Sequence, residues 1–247
     1  MTWDMLEHMA QPLQRIPIIW LMLTIAAFVI SDAIYVAAAR FPRIQAFFHP
    51  VLISVCLLIG LLRLADVPYT RYFQGAWPIH LLLGPATVAL AIPLYANLRR
   101  IRESLLPLII ALIIGCIVGI VSALLLGQLF GLSANSLVSI APKSVTTPIA
   151  MALAQHAGGN VSLAAGFVIL TGICGAVLAV PLFQLLRIDD EVAQGFAMGI
   201  AAHGVGTSRA MQMSETTGAF AGLAMGLNGV LTSLILSLVL SAWFYFF

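Results

Sequence analysis

Residues 141–159 read APKSVTTPIAMALAQHAGG and decide how the rest of the chain is interpreted. Positions 142–148 hold two prolines, one lysine and three hydroxyl side chains, and apolar sequence flanks them on both sides. In a bilayer, a proline frees backbone groups that need partners in protein or water, and a buried cation is costly. The stretch is therefore either an interrupted helix near the middle of a membrane, as in many secondary transporters, or a surface loop whose Lys143 reaches the lipid headgroups.

The composition indicates a membrane protein, because 62% of the residues are hydrophobic, only 8% are charged and the mean hydropathy is +1.08. Soluble domains carry about 25% charged residues. We expect an all-α, polytopic transmembrane helical bundle in which residues 1–247 form a single multi-pass membrane domain. The net charge of +2 does not favour nucleic acid as a partner. No nucleophile–base pair, metal-ligand motif or nucleotide loop appears in the sequence, so neither enzymatic activity nor a metal or cofactor is expected.

Apolar runs separated by polar turns predict seven to eight helical elements. The run at 195–206 is only about half a membrane thick and is followed by polar residues, so interrupted or re-entrant helices are predicted near 141–159 and 203–215. Residues 1–15 are polar and are expected to stay outside the bilayer, and the aromatic residues within 63–77 predict an interfacial loop. The apolar runs cover residues 16–39, 49–64, 79–98, 105–130, 137–159, 161–186, 195–206 and 219–247.

Asp32 lies beside Ser31 inside the first apolar run. An intramembrane carboxylate is a functional candidate by default, here for proton coupling. Asp32 is only two turns from Arg40, so the alternative is an acid that faces the membrane interface.

The basic residues predict the orientation through the positive-inside rule. If every apolar run crosses the membrane, Arg40, Arg43 and the cluster 99–102 lie on one side, which is then cytoplasmic. The other side would hold fewer basic residues, namely Arg15, Arg63, Arg71 and Arg187.

A second polar stretch resembles the first. Residues 145–151 read VTTPIAM and residues 205–211, sixty positions later, read VGTSRAM, so that valine, threonine, alanine and methionine recur at the same spacing. The same offset places Lys143 opposite His203 and Thr147 opposite Thr207. The recurrence favours a transporter-like internal repeat whose interrupted elements meet at one site. An inverted pair would require one of these elements to be re-entrant.

The string PKSVTTPIAMALA, followed by GFAMGIAAHGVGTSRAMQMSETTGAFAGLAMGLNG, resembles the LrgB/CidB family of bacterial membrane proteins, and most closely its YohK-type members. The resemblance is strongest from about residue 50 to 247. It implies a multi-pass protein of the bacterial inner membrane that acts beside a smaller LrgA/CidA-type membrane partner. It also implies one of two functions: a carrier of small monocarboxylates such as pyruvate, glycolate or glycerate, or a holin/antiholin-like modulator of murein hydrolases and autolysis.

A carboxylate carrier needs hydrogen-bond donors and positive charge near the midplane, which helix N-termini supply, whereas a lytic pore or its regulator needs no dedicated polar site. Proline is tolerated in the first turn of a helix, so a helix that restarts at Pro148 would point its N-terminus at the break. Breaks are predicted at Pro142, Pro148, Gly204 and Gly206. The predicted substrate site comprises Lys143, Ser144, Thr146, Thr147, His203, Thr207, Ser208, Arg209 and Asn228.

Three of these residues have a second interpretation. Arg209 is either part of the site or an interfacial anchor, and His203 is either a packing residue or a proton carrier. For Asn228, a hydrogen bond between helices is favoured over a role in binding.

Glycine spacing predicts association, either as a homo-oligomer or with the smaller partner. Small residues four positions apart allow membrane helices to approach closely, although the motif is also common within single chains. The glycines concerned are Gly115, Gly119, Gly222 and Gly226.

Overall fold

The protein is described by a computed structural model, which covers residues 17–38, 40, 48, 50–82, 85, 88–89 and 91–246. These residues form helices joined by short turns, and no β-strand occurs among them. Four helices are long and apolar enough to cross a membrane, which confirms the all-α, polytopic architecture. They are Ile18–Ala38, Leu105–Leu129, Val161–Leu186 and Glu215–Phe246. The predictions for residues 1–15, which include Arg15, and for Arg43 lie outside the described part.

The chain divides into two compact units, Met1–Ala89 and Leu90–Phe247. The single multi-pass domain therefore stays a prediction. In the first unit, Pro17–Ala38 forms α1, Pro50–Leu64 forms α2 and Tyr69–Leu81 forms α3.

Aromatic packing joins α1 to α3. The Trp20 and Tyr72 rings meet edge to face with their centroids 6.3 Å apart, and the Thr24 hydroxyl lies 3.1 Å from the Tyr72 hydroxyl. On the same helix Ser31 is buried and donates a hydrogen bond to the Ala27 carbonyl, whereas Asp32 is exposed.

The interfacial loop predicted over 63–77 is wrong for most of its length, because α3 begins at Tyr69. Its aromatic residues repeat with helical spacing, so the rings contact one another along one face of the helix. Tyr69 and Phe73 have centroids 5.8 Å apart, and Phe73 and Trp77 have centroids 5.7 Å apart. An aromatic belt residue can therefore lie on a helix as readily as in a loop.

The second unit begins with two short helices, α4 and α5, and then alternates long helices with broken ones. Side chains cap three of them: Ser133, Asn160 and Asp190 accept hydrogen bonds from Ser136 N, Leu163 N and Ala193 N at the next helix. The helices are α4 Ala91–Ala96, α5 Leu98–Glu103, α6 Leu105–Leu129, α7 Ala134–Ile140, α8 Thr147–His156, α9 Val161–Leu186, α10 Glu191–Met213 and α11 Glu215–Phe246.

Helices α7 and α8 form a hairpin that enters and leaves from the same end of the unit. The Asn135 side chain donates to the Gly158 carbonyl at 2.9 Å, and the Asn160 amide donates to the Ser139 hydroxyl at 2.8 Å. These bonds join α7 to the turn after α8. We call this hairpin 1 and its two joined ends, near Asn135 and Asn160, the asparagine end. The prediction of an interrupted or re-entrant element over 141–159 is confirmed.

Helix α10 is also a hairpin, although its two arms follow each other without a loop. His203 has φ 42° and ψ −132°, which breaks the helix. Eight residues of a straight helix span about 12 Å. A Cβ on Gly206 would nevertheless lie 2.7 Å from the Met198 carbonyl oxygen, so the second arm folds back on the first. We call this hairpin 2, and it confirms the re-entrant element predicted near 203–215.

Hairpin 2 enters from the opposite end to hairpin 1. Asp190, just before α10, lines one cleft with Arg100 and Glu103, and Arg100 donates to the Thr216 hydroxyl just after it at 3.4 Å. We call this the arginine end. Since α6 and α9 run in opposite directions, each is followed by a hairpin that enters from a different end. The sixty-residue offset thus relates two inverted copies of a long helix plus a hairpin.

The positions of the two hairpins correct the predicted orientation within this unit. Arg187 was predicted to lie opposite the cluster Arg99, Arg100 and Arg102, but it precedes Asp190 at the arginine end. The parity count treated residues 137–159 as a crossing segment. Because hairpin 1 returns to the end where it entered, the turns at 157–160 and 187–190 lie on the opposite side from the one predicted.

The two largest apolar clusters described in the second unit lie toward its two ends. In the half toward the asparagine end, Leu124, Leu137, Leu236 and Trp243 pack with no more than 7% of their surface exposed. In the half toward the arginine end, a second cluster joins α6, α10 and α11 and includes Leu108, Leu112, Phe196 and Phe220.

Candidate functional site

The tips of the two hairpins meet at Asn228 on α11. Its Nδ2 atom donates to the Ser144 carbonyl at 3.1 Å and to the Ile200 carbonyl at 3.2 Å. The regular helical partner of Ile200 would be the amide of Gly204, which lies beyond the break at His203. Asn228 therefore holds one carbonyl from each tip, and the predicted hydrogen bonding between helices is confirmed.

The same side chain keeps one buried group without a partner. Asn228 is 1% exposed, and its Oδ1 atom has no hydrogen-bond partner among the described residues. Both donor hydrogens of the amide are used by the two carbonyls, so the oxygen must point elsewhere. A buried unpaired acceptor costs about 1–3 kcal/mol.

Each tip is followed by the start of a helical arm. Thr146 has the extended backbone of an N-cap, with Thr147 and Pro148 beginning α8, as the position of Pro148 predicts. The second arm of hairpin 2 begins at Gly204, directly after the break. The amides of a first turn have no acceptor within their own helix and carry the positive end of its dipole. Two such N-termini therefore approach the centre of the unit from opposite ends.

A cleft of about 820 Å³ runs from the arginine end to the tip of hairpin 1. Arg100, Glu103 and Asp190 lie at its mouth, and Lys143 and Ser144 lie at its inner end. Its walls are Ser104, the face of α6 from Pro107 to Gly119, and the first arm of hairpin 2, so they are mostly apolar.

Lys143 is the cation at the inner end of this cleft. The side chain is half-buried, and its Nζ atom lies 3.4 Å from the Ser144 hydroxyl. Within the described part of the chain no carboxylate pairs with it, since the acids of the cleft, Glu103 and Asp190, lie at the mouth. The inner end of the cleft thus combines a positive charge with a hydroxyl donor and a helix N-terminus.

His203 is held in a fixed position at the tip of hairpin 2. The ring is buried, and its Nε2 atom lies 3.0 Å from the Val168 carbonyl on α9. A carbonyl only accepts, so Nε2 carries a hydrogen. Gly172 makes room for the ring, because a Cβ there would lie 2.7 Å from the His203 Cε1 atom.

The sequence profile of the LrgB-like family matches residues 24–242. The chain belongs to this family.

Individual relatives agree with that assignment. YxaC and YwbG, two uncharacterized proteins of Bacillus subtilis (strain 168), are 37% and 36% identical over 88% of this chain, with 93% and 94% of their own lengths covered. Holin-like protein CidB of Staphylococcus aureus (strain Mu50) is 28% identical over 78% of this chain and 85% of its own length. No solved structure matches the chain with statistical significance.

In this LrgB-like protein only part of the predicted substrate site faces the cleft. Lys143 and Ser144 line it, whereas Thr146, Thr147 and His203 lie at the tips without lining it. Thr207 is buried and donates to the His203 carbonyl at 2.9 Å, Ser208 is exposed, and Arg209 donates to Gln212 at 3.0 Å. Asp32 belongs to the first unit.

The predicted helix breaks need one correction. Pro142 lies between α7 and α8, and Pro148 lies in the first turn of α8, so the two prolines do flank the tip of hairpin 1. In hairpin 2 the break is at His203, and Gly204 and Gly206 have helical geometry in the second arm. Gly206 serves the close approach of the two arms instead. The hydrogen bond from His203 to Val168 and the space left by Gly172 stabilise a backbone conformation that would ordinarily favour glycine.

Sequence reasoning missed the wall of the cleft. Gly115 and Gly119 were predicted to serve association, with packing within one chain as the alternative, and neither interpretation anticipated that both line the cleft. Their four-residue spacing was the available signal, but it does not distinguish a surface within the chain from one between chains. Gly222 is buried, whereas Gly226 is exposed, and association remains a prediction.

Proposed function

We propose that this LrgB-like protein is a carrier, or the carrier subunit, for small monocarboxylates such as pyruvate, glycolate or glycerate. The observation that supports this most directly is Lys143, an unpaired cation at the inner end of a cleft and beside a helix N-terminus. A cation at the centre of a membrane costs at least ~2.5 kcal/mol on insertion scales. A bound carboxylate would offset that cost, and the Ser144 hydroxyl would donate a hydrogen bond to it.

The inverted hairpins support a carrier over an enzyme or a simple pore. Interrupted elements that meet near the midplane are typical of secondary transporters, in which the site opens to the two sides in turn. The basic residues Arg99, Arg100, Arg102 and Arg187 share one end, so we place that end in the cytoplasm of a cell with the protein in its inner membrane. Helix α11 then ends on the outer side. His203 remains our candidate for carrying a proton, and an LrgA/CidA-type protein our candidate partner.

A second candidate function comes from the relatives. The name of the S. aureus relative, Holin-like protein CidB, favours a holin/antiholin-like modulator of murein hydrolases. Such a role requires association in the membrane but gives no reason for a cation at the end of a cleft.

Uptake into proteoliposomes separates the two candidates. Labelled pyruvate, glycolate and glycerate are supplied to vesicles that contain the wild-type protein or the Lys143→Met variant, with and without an LrgA/CidA-type partner. Charge-assisted hydrogen bonds contribute about 1.5–3 kcal/mol, so removal of the ammonium group should weaken carboxylate binding roughly tenfold to hundredfold. Saturable uptake that falls with Lys143→Met is the expected result.

The matched control is Arg102→Met, which removes a charge from an exposed residue that does not line the cleft. It should leave uptake unchanged. Wild-type rates for a folded Lys143→Met protein would refute the proposed site. Unsaturable leakage of carboxylates and neutral sugars alike would favour the holin-like function.

A further inference from the structure

Gly119 occupies a special position on the wall of the cleft. It lies on α6 and lines the cleft together with Lys143 and Ser144. A Cβ built on Gly119 would have one neighbouring atom within 4 Å among the described residues, the Ser144 hydroxyl oxygen at 3.5 Å. That is ordinary van der Waals distance. A side chain at position 119 would therefore extend into the cleft beside Lys143 rather than into another helix.

Gly115, one turn earlier, is different. Its Cβ would lie 3.1 Å from the Cγ2 atom of Ile200 on the first arm of hairpin 2. The absence of a side chain there serves the packing of α6 against α10. The two glycines thus share a spacing but not a role, because only Gly119 has open space in front of it.

The cleft ends at Gly119. Its α6 wall is formed by Pro107, Leu108, Ala111, Gly115, Val118 and Gly119, and the described cleft includes no later residue of α6. Ile120, the next residue, and Leu124, about one turn later, are buried in the apolar cluster toward the asparagine end. A molecule that reaches Lys143 from the arginine end therefore has Gly119 beside it and a closed apolar core ahead of it.

We propose that Gly119 sets the size of the acid that can reach Lys143, and that this acid enters from the arginine end. The inference rests on the proposed function as a carboxylate carrier. The carboxylate binds at Lys143 and Ser144, and the remainder of the acid lies in the space that a side chain at position 119 would fill. Small unbranched monocarboxylates fit that space, and longer or branched ones are excluded first when it is narrowed.

A substitution series tests the size rule. Uptake is measured for unbranched monocarboxylates of increasing length in proteoliposomes with Gly119→Ala, Gly119→Val and Gly119→Leu. The alanine variant should lose the longest accepted acids, and the leucine variant should lose all of them. The control is the same series at Gly166 on α9, whose Cβ would have no atom of the described residues within 4 Å. An unchanged length profile in the Gly119 series, with folded protein, overturns the proposal.

Thiol labelling tests the direction of access without measuring transport. In a protein lacking Cys56, Cys116 and Cys174, a charged, membrane-impermeant thiol reagent is added to one side of the vesicles. The Gly119→Cys variant should react from the same side as Glu103→Cys at the mouth of the cleft. Leu124→Cys in the closed core and the lipid-facing Ile113→Cys should not react.

The outcomes separate the two hypotheses. If Gly119→Cys is labelled and pyruvate slows the labelling, the result supports both the carrier function and the inference about Gly119. Labelling that no carboxylate affects, with no saturable uptake, overturns the proposed function but leaves the open cleft in place. Saturable carboxylate uptake by a Gly119→Cys protein that stays unlabelled, or reacts only from the side opposite Glu103→Cys, overturns this inference alone.

Discussion

Replacing Asn228 with leucine should loosen both hairpin tips at once. The substitution conserves the approximate size of the side chain but removes the donor that binds the Ser144 and Ile200 carbonyls, at 3.1 and 3.2 Å. Hydrogen bonds between membrane helices contribute on average about 0.6 kcal/mol and at most about 1.7 kcal/mol each. Two bonds therefore stabilise the joined tips by about 1–3 kcal/mol in total.

The unpaired Oδ1 atom reduces that estimate. Leucine removes a buried acceptor that has no described partner, and this gain offsets part of the loss. We therefore expect the lower half of the range. For a chain of this size, each kcal/mol corresponds to about 2–4 °C in Tm, so a loss of about 1–2 kcal/mol should make the Asn228→Leu protein unfold roughly 2–8 °C below wild type.

Hydrogen exchange in detergent or nanodiscs gives the local test. Exchange should rise at residues 143–147 and at 200–206, because both tips lose their shared partner. The matched control is Asn135→Leu, which removes one bond, to the Gly158 carbonyl, at the base of hairpin 1 alone. That control should leave the exchange at 200–206 as in wild type. If Asn228→Leu raises exchange at only one tip, or at neither, Asn228 does not join the hairpins.

Two further substitutions test how the broken helices are held. Gly172→Ala would place a methyl group 2.7 Å from the His203 ring, and such overpacking typically costs about 1–3 kcal/mol, so Tm should fall. The control, Gly166→Ala on the same helix, should lower Tm less. Equal decreases in Tm for the two variants would contradict the packing role of Gly172. Asn160→Ala removes the side-chain cap of α9 and should lower the free energy of unfolding by about 1 kcal/mol. Chemical denaturation measures this change, and an unchanged free energy of unfolding would mean that the cap contributes nothing.

The paired tips were predictable from sequence because they carry its most unusual residues. Prolines and a lysine inside an apolar run have few alternatives to an interrupted helix, and the recurrence sixty positions later located the second tip to within a residue. The break itself was predicted at Gly204 and Gly206, and glycine is the residue that ordinarily occupies a positive φ. His203 adopts that φ through contacts with Val168 and Gly172 on another helix, which no local pattern reveals.

The side of the membrane on which each turn of the second unit lies was not predictable from the lengths of the apolar runs. Residues 137–159 are as long as a membrane span, so hydropathy alone counts them as a crossing. Only the bonds at the base of hairpin 1, from Asn135 to Gly158 and from Asn160 to Ser139, show that the chain returns. The position of Arg187 was wrong for this reason. The cleft was missed because the same four-residue spacing on α6 includes Gly115, which packs against α10, and Gly119, which faces the cleft.

The inverted repeat also explains why an asymmetric cleft supports a carrier. Two inverted copies of a helix and a hairpin can each leave a cleft at their own end of the unit. If both copies had the same conformation, the protein would be open at both ends or closed at both ends. Here the space between α6 and hairpin 2 opens at the arginine end, while α7 and the start of α9 are bonded through Ser139 and Asn160 at the asparagine end. A pore needs both ends open together, whereas a carrier needs one closed while the other is open. Lys143 lies at the inner end of the cleft that opens at the arginine end. A carrier would hold its anion at that position.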